Sequence, residues 1–239
     1  MRVRLLAADP VPCHGERGSR DDEDVSGSEE QTMSSETDVA VSGPKGFVSG
    51  QAALDLAHEL LSGVDARWAH TRLAAATARS IAHTVPEQDR ELLVAAAALH
   101  DVGYAPALLR SGFHPLDGAD HLAELGWPVR LVGLVAHHSG SRFMARARGL
   151  VDRLDAYPDE GGAVADALVY CDMTSTPDGR EVRLAERLQE MHARHRGDPA
   201  AERQARRERE PFLRASVARV QARLGPGRRV LPVPTQQHR

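Results

Sequence analysis

Apolar residues recur along the middle of the chain with the spacing of amphipathic helices, not with the alternation of strands. From Ala52 to about His195 the sequence has long runs of Ala and Leu and no stretch of alternating β-branched residues. Pro86, Pro115 and Pro128 suit the first turns of helices, where the missing N–H costs nothing. The pattern predicts an all-α helical bundle. Its expected helices lie at about residues 50–62, 65–84, 87–100, 115–125, 128–138, 161–173, 180–195 and 199–224.

The two ends of the chain differ from this middle part. Residues 1–46 are acidic, rich in Ser and Gly and without periodicity, so we expect a disordered tail. A translation start at Met33 would leave residues 1–32 outside the native protein. We expect residues 47–195 to form the helical domain, and residues 196–239 to form a basic C-terminal helix with a frayed end.

Composition narrows the class of protein. Hydrophobic residues make up 41% and charged residues 27%, as in a globular protein that buries a core. No apolar run is long enough for a transmembrane helix, and two cysteines make no disulfide framework, so we expect a cytoplasmic protein. Aromatic residues are only 4%, and the C-terminal arginines alternate with Glu as solvated intrahelical pairs would, which argues against nucleic-acid binding.

Histidines are concentrated in one part of the chain: eight of the twelve lie between positions 58 and 138. His70 and His100 lie on apolar faces of their predicted helices, and Asp172 follows Leu168 and Val169 at helical spacing. Buried carboxylates are costly unless they are paired. Imidazoles and carboxylates that converge from separate helices of a bundle are typical of a divalent metal site.

Three local sequences place candidate ligands at helix ends. AAALHDVGYAP ends a helix with the adjacent His100 and Asp101, which can reach one cation only beside the last turn, because neighbouring helical residues point about 100° apart. FHPLDGADHL starts a helix at His114, and LVAHHSGSR ends another helix with His137 and His138.

The order of these residues resembles the HD superfamily of metal-dependent phosphohydrolases, whose pattern is a His, an adjacent His-Asp pair and a distant Asp. The resemblance covers about residues 48–191, and its pattern is matched by His70, His100, Asp101 and Asp172. Binuclear members add a His in a His-Pro-x-x-Gly setting and a later His-His pair, which are similar to His114, His137 and His138 here.

The resemblance implies that these side chains hold one or two divalent ions, drawn from Fe, Mn, Co, Ni, Zn or Mg. The metal would activate water for in-line attack on a phosphomonoester or phosphodiester, with His100 and Asp101 as catalytic residues. Arg142, four residues after His138, is a candidate phosphate ligand. The substrate expected is a nucleotide or another small phosphate ester, as for the small stand-alone members of the superfamily.

Two alternatives stay open at this point. A non-catalytic HD module would use the same pocket to bind a nucleotide or a metal and would regulate a partner through the basic C-terminal helix. A di-iron HD centre would instead carry out redox chemistry with oxygen. Metal-dependent turnover of a phosphate ester separates the hydrolase from both.

Overall fold

The structure is a computed structural model that describes residues 48–225. The predicted disordered tail, the alternative start at Met33 and the frayed C-terminal end lie outside these residues. Within them the chain is all-α, as predicted. The described part contains no strand, and the single β-bridge joins Ser175 to Glu181.

Ten α-helices follow one another along the described chain. They are α1 (Gly50–Leu61), α2 (Asp65–Ile81), α3 (Arg90–Leu99), α4 (His114–Glu124), α5 (Val129–His137), α6 (Ser141–Arg148), α7 (Val151–Leu154), α8 (Gly162–Met173), α9 (Leu184–Arg194) and α10 (Ala200–Leu224). Short 3₁₀ turns extend α2, precede α3 and follow α3 and α5. None of the helices in residues 48–225 combines the length and the apolar character needed to cross a membrane. The cytoplasmic location stays a prediction.

Helix α3 lies at the centre of the molecule. All of its residues from 92 to 99 are buried, which is the pattern of a helix surrounded by other elements. It packs against α1, α2, α5 and α8. Its run of alanines lets these neighbouring helices approach closely. The end of this buried helix, at His100, is therefore held in the interior of the fold.

The 3₁₀ turn after α3 packs tightly against the start of α4. A Cβ atom added to Gly103 would lie 2.0 Å from the carbonyl oxygen of His114 and 2.6 Å from the amide nitrogen of Gly118. Only glycine permits this approach, because no side chain can share that space. The contact holds the beginning of α4 against the end of α3.

The sequence pattern missed α6 and α7. These helices have 8 and 4 residues, which is too short for a clear hydrophobic period. The backbone at Ser139 and Gly140 has positive φ angles of 48° and 67°. These left-handed residues end the helical path of α5 and change the direction of the chain before α6. The residues after the double histidine, to which the sequence pattern assigns no helix, therefore form two further short helices.

Helix α10 packs on the rest of the described chain as part of its core. It contacts α8 and α6, and its Leu213 and Val217 join a second apolar cluster with residues of α8 and α9. Asp166 of α8 accepts hydrogen bonds from Arg219 and Arg223 of α10. The helix predicted after residue 195 is therefore packed against the preceding helices, and the domain boundary at this place stays a prediction.

Candidate metal centre

Two groups of three side chains come together where several helices end. His70 on α2, His100 after the last turn of α3 and Asp172 near the end of α8 form the first group. Within it, the Nε2 atom of His70 lies 3.2 Å from Nε2 of His100 and 3.3 Å from Oδ1 of Asp172. Both histidines are fully buried. We call this group the first cluster.

The second cluster consists of Asp101, His114 and His138. His114 is the first residue of α4, and His138 follows the last residue of α5. Their Nε2 atoms are 3.2 Å apart, and Oδ1 of Asp101 lies 3.3 Å from Nε2 of His114. These ligand atoms come from three helix ends, as the three local sequences predict.

Asp101 lies between the two clusters. Its Oδ1 is 3.6 Å from Nε2 of His100, in the first cluster, and 3.9 Å from Nε2 of His138, in the second. Its Oδ2 is 3.7 Å from Nε2 of His70. One carboxylate therefore faces both clusters, as a group shared by two cations would.

The hydrogen bonds of the histidines test whether a cation fits. Nδ1 of His70 donates to the carbonyl oxygen of Thr176, and Nδ1 of His100 donates to that of Ala97. A carbonyl oxygen only accepts, so in a neutral ring the proton is on Nδ1 and Nε2 carries a lone pair. Two lone pairs then face each other at 3.2 Å, an unfavourable contact that a cation between them relieves.

The spacing of the nitrogen atoms also suits a cation. Two nitrogens that each lie about 2.1 Å from one ion are separated by about 3.0–3.4 Å at octahedral to tetrahedral angles. Both His–His distances, at 3.2 Å, fall in this range. Fixing a ligand histidine through its second ring nitrogen is a common feature of metal sites, and His138 shows it as well, donating from Nδ1 to the carbonyl of Val135. The residues present therefore fit a divalent metal.

The electrostatic environment favours charged carboxylates and neutral imidazoles. Burial raises the pKa of Asp101, but the neighbouring His100, His114 and Arg67 outweigh burial and hold that pKa well below its usual range. The same balance, with His70 as the main partner, lowers the pKa of Asp172. Burial lowers the pKa of His138 to about 3. At neutral pH these groups have the protonation states that bind a cation.

Side chains around the clusters hold the ligands in place. Arg67, one turn before His70 on α2, donates a hydrogen bond of 2.9 Å to Oδ2 of Asp101. Its guanidinium lies 3.8 Å above the ring of Tyr104, which in turn stacks on His114 with ring centres 3.9 Å apart. The hydroxyl of Ser139 donates to Oδ2 of Asp172.

Two residues selected from the sequence lie outside the clusters. Nε2 of His137 donates to the carbonyl oxygen of Tyr157, and this histidine lines a neighbouring cavity of about 250 Å³, which His138 also borders. Arg142 is half-exposed, forms an ion pair with Asp155 and lines that same cavity. The chain leaves the helical conformation between His137 and His138, which sends the two adjacent side chains to different places. Their proposed roles receive no support from this geometry.

The cavity that holds Asp101, His114, His138 and Asp172 has a volume of about 370 Å³. Its lining is strongly basic. The arginines in it are Arg67, Arg148, Arg187, Arg194, Arg206 and Arg209. A cavity with this charge suits an anionic ligand of metabolite size.

None of these arginines is among the candidate residues that the sequence pattern suggests. Arg214 and Glu210 do form the exposed intrahelical pair expected for α10, but Arg206 and Arg209 do not face solvent in this way. The helical spacing could have identified two of them. Arg209 lies four residues before the buried Leu213, and Arg206 lies three residues before Arg209, so all three share one helix face. Arg67 likewise lies three residues before His70, on the same helix face.

The comparisons with known proteins point the same way as the geometry. The family model described as HD domain matches residues 67–220, which is more than half of the chain and includes every residue of both clusters. No curated protein and no solved structure matched the chain. The extent of the family match, together with the His100–Asp101 pair that contributes one residue to each cluster, confirms the predicted resemblance: this chain belongs to the HD superfamily of metal-dependent phosphohydrolases.

Proposed function

We propose that this protein is a metal-dependent phosphohydrolase that hydrolyses a phosphomonoester or phosphodiester of a nucleotide or another small metabolite. The observation that carries the proposal is the pair of three-residue clusters with Asp101 between them, at the bottom of a cavity rich in arginine. A cavity of this size and charge favours a small phosphate ester over a nucleic acid.

Each cluster supplies the ligands for one divalent cation. His70, His100 and Asp172 would hold the first ion, and Asp101, His114 and His138 would hold the second. Fe, Mn, Co, Ni and Zn suit this mixture of imidazole and carboxylate, and Mg remains among the candidates. When bound, such ions lower the pKa of water and neutralise charge on phosphoryl oxygens.

The protein's own groups prepare the site for this chemistry. Arg67 donates to Asp101 and stabilises its ionised form, so that its two oxygens can serve both clusters. Ser139 orients Asp172 by its hydrogen bond, and Tyr104 fixes the ring plane of His114 by stacking. The reaction needs no protein nucleophile.

The arginines that line the cavity would bind the phosphate ester. Arg67 is the nearest candidate to the clusters, because it contacts Asp101 directly. Its planar guanidinium can offer a second edge to a phosphoryl oxygen. Arg142, the residue selected from the sequence, is engaged by Asp155 and lines another cavity, so we assign it no part in the proposed reaction.

The test is the metal content per chain after anaerobic purification without chelators or a His tag. We expect about two metal ions in the wild type, in accordance with the two clusters, and about one in His100→Ala and in His114→Ala. His121→Ala is the matched control, since His121 lies on α4 with His114 but in neither cluster.

The same preparations are then assayed against a panel of nucleotides and sugar phosphates. Turnover that falls together with the metal content supports the hydrolase. Metal at both sites with no turnover of any ester would contradict it and favour the non-catalytic binding module. Oxygen consumption and a mixed-valent iron signal would instead favour the redox alternative.

A further inference from the structure

Helices α9 and α10 bring four arginines to the cavity of the metal centre. They are Arg187 and Arg194 on α9, and Arg206 and Arg209 on α10. Arg187 and Arg206 are each only 6% exposed. Arginine is seldom buried to this extent without complete pairing, because its guanidinium carries five N–H donors and a permanent charge. An N–H donor of these arginines that has no acceptor in the protein is therefore a candidate for binding a ligand.

Arg209 has no acidic partner. Among residues 48–225 no carboxylate lies within ion-pair distance of it, and the hydrogen bond that it does make goes to the sulfur of Met191. Its Nε atom is buried without a partner. Burial lowers its pKa to about 10, with Asp172 opposing this shift and the neighbouring Arg206 and Arg187 adding to it, so the side chain is still charged at neutral pH.

Arg187 and Arg206 are each paired on one side only. Arg187 contacts Glu190 through Nη1, while its Nε is buried and unpaired. Arg206 contacts Asp198 at 2.6 Å and Glu202 at 3.6 Å, both through Nη2, while its Nη1 is buried and unpaired. Three guanidinium groups thus leave buried N–H donors unsatisfied around one cavity, although most buried donors in proteins are satisfied.

The three arginines belong to neither metal cluster, and they suit a ligand of the opposite charge. The clusters suit cations, whereas the three guanidinium groups can donate to an anion with several acceptor oxygens. Phosphate meets this need better than a carboxylate does, because its oxygens accept from more than one planar fork. The two sets of groups share the lining of a cavity that has room for a nucleotide-sized molecule.

We propose that Arg187, Arg206 and Arg209 form a second anion subsite, so that the substrate carries at least two phosphoryl groups, one at the metal centre and one at these arginines. This inference rests on the proposed function, which it narrows from phosphate esters in general to polyphosphates or bisphosphates. The subsite selects the substrate, and the clusters act on it.

The test compares binding of inorganic phosphate, pyrophosphate and tripolyphosphate by calorimetry. Metal-loaded wild type, Arg209→Gln and Arg209→Lys are titrated, and the metal content of each protein is measured again after titration. Arg207→Gln is the matched control, because Arg207 lies on the same helix, is exposed and contacts Gln204. Circular dichroism confirms that each variant is folded.

We expect wild type and Arg207→Gln to bind tripolyphosphate at least about tenfold more tightly than phosphate. Arg209→Gln should lose this preference while its affinity for phosphate and its metal content stay within about twofold of wild type, and Arg209→Lys should restore part of the preference. Equal affinity of the wild type for all three anions, with metal bound, would overturn the subsite and leave the proposed hydrolase intact.

Two further outcomes separate the proposals. A chain that binds no metal but still shows the Arg209-dependent preference for tripolyphosphate would retain the subsite and refute the hydrolase. A chain that binds neither metal nor any of the anions would refute both.

Discussion

At the scale of the residue, the position of Asp101 determines what the two clusters can do together. The residue follows the last turn of α3, where the backbone leaves the helix with φ −105° and ψ 6°. This turn lets His100 and Asp101 reach the same place, although adjacent residues inside a helix point in different directions. The carboxylate is buried, ionised and oriented by Arg67.

Replacing Asp101 by Asn keeps the size of the side chain but removes its charge. We expect Asp101→Asn to lower metal-dependent turnover by more than about 100-fold, because the loss of groups that merely support metal ligands already costs about 10–100-fold. Helical content by circular dichroism should stay near that of wild type. Asp120→Asn on α4 is the control, since Asp120 pairs with Arg153 outside the clusters. Turnover that survives in Asp101→Asn would remove this residue from the mechanism.

At the scale of the element, the contact of Gly103 with α4 determines where His114 is held. We expect Gly103→Ala to lower the free energy of unfolding by about 1–3 kcal/mol, because the new Cβ has no room against the backbone of α4. The shift of α4 should also reduce the metal content at the second cluster. Gly63→Ala is the control, because a Cβ at Gly63 meets no atom within 4 Å. Chemical denaturation and metal analysis measure the two effects, and equal stability of both variants would contradict the close contact.

The ion pairs between α8 and α10 provide a second test at this scale, through their dependence on pH. Burial raises the pKa of Asp166, but Arg219 and Arg223 outweigh burial and lower it below the usual value. A lowered folded-state pKa stabilises the fold above the unfolded-state pKa, and this contribution is lost as pH falls through the folded-state pKa.

We therefore expect Asp166→Asn to be less stable than wild type at pH 7, with the difference shrinking as the pH falls below about 4. Urea unfolding at a series of pH values measures this difference in the free energy of unfolding. A difference that is the same at pH 7 and pH 3 would show that the charge of Asp166 is not what holds α10 to α8.

At the scale of the whole molecule, α10 both completes the apolar core and supplies arginines to the cavity. Leu213 is fully buried in the cluster that joins α8, α9 and α10. We expect Leu213→Ala to cost about 2–5 kcal/mol of unfolding free energy, through lost burial and the cavity that it leaves. Val129→Ala, at an exposed position, should change stability by less than about 0.5 kcal/mol.

Urea denaturation of the full chain distinguishes these two variants. If Leu213→Ala were as mild as Val129→Ala, α10 would be a separable appendage, as the sequence-based boundary after residue 195 implies. A large loss confined to Leu213→Ala would instead show that residues 47–195 depend on α10 for their stability.

Local patterns in the sequence were sufficient to predict most of the helices and to select all six residues of the two clusters. Helical periodicity and the proline and glycine signals lie within a few residues of each other, so they can be interpreted without knowing the rest of the fold. The order of His70, the His100–Asp101 pair and Asp172 identified the superfamily, and His114 and His138 came from the sequences around helix ends. The structure brings all of these together.

The sequence by itself thus determined the all-α class, the family and the residue types of the candidate metal ligands, because these depend on residue types and short-range spacing. Only the tertiary structure showed that His138 and not His137 joins a cluster, and that arginines of α9 and α10 rather than Arg142 line the cavity of the clusters. The physical reason is that the direction of a side chain at a helix end depends on where the backbone turns. Whether an arginine faces solvent or a cavity depends on which distant helix packs beside it.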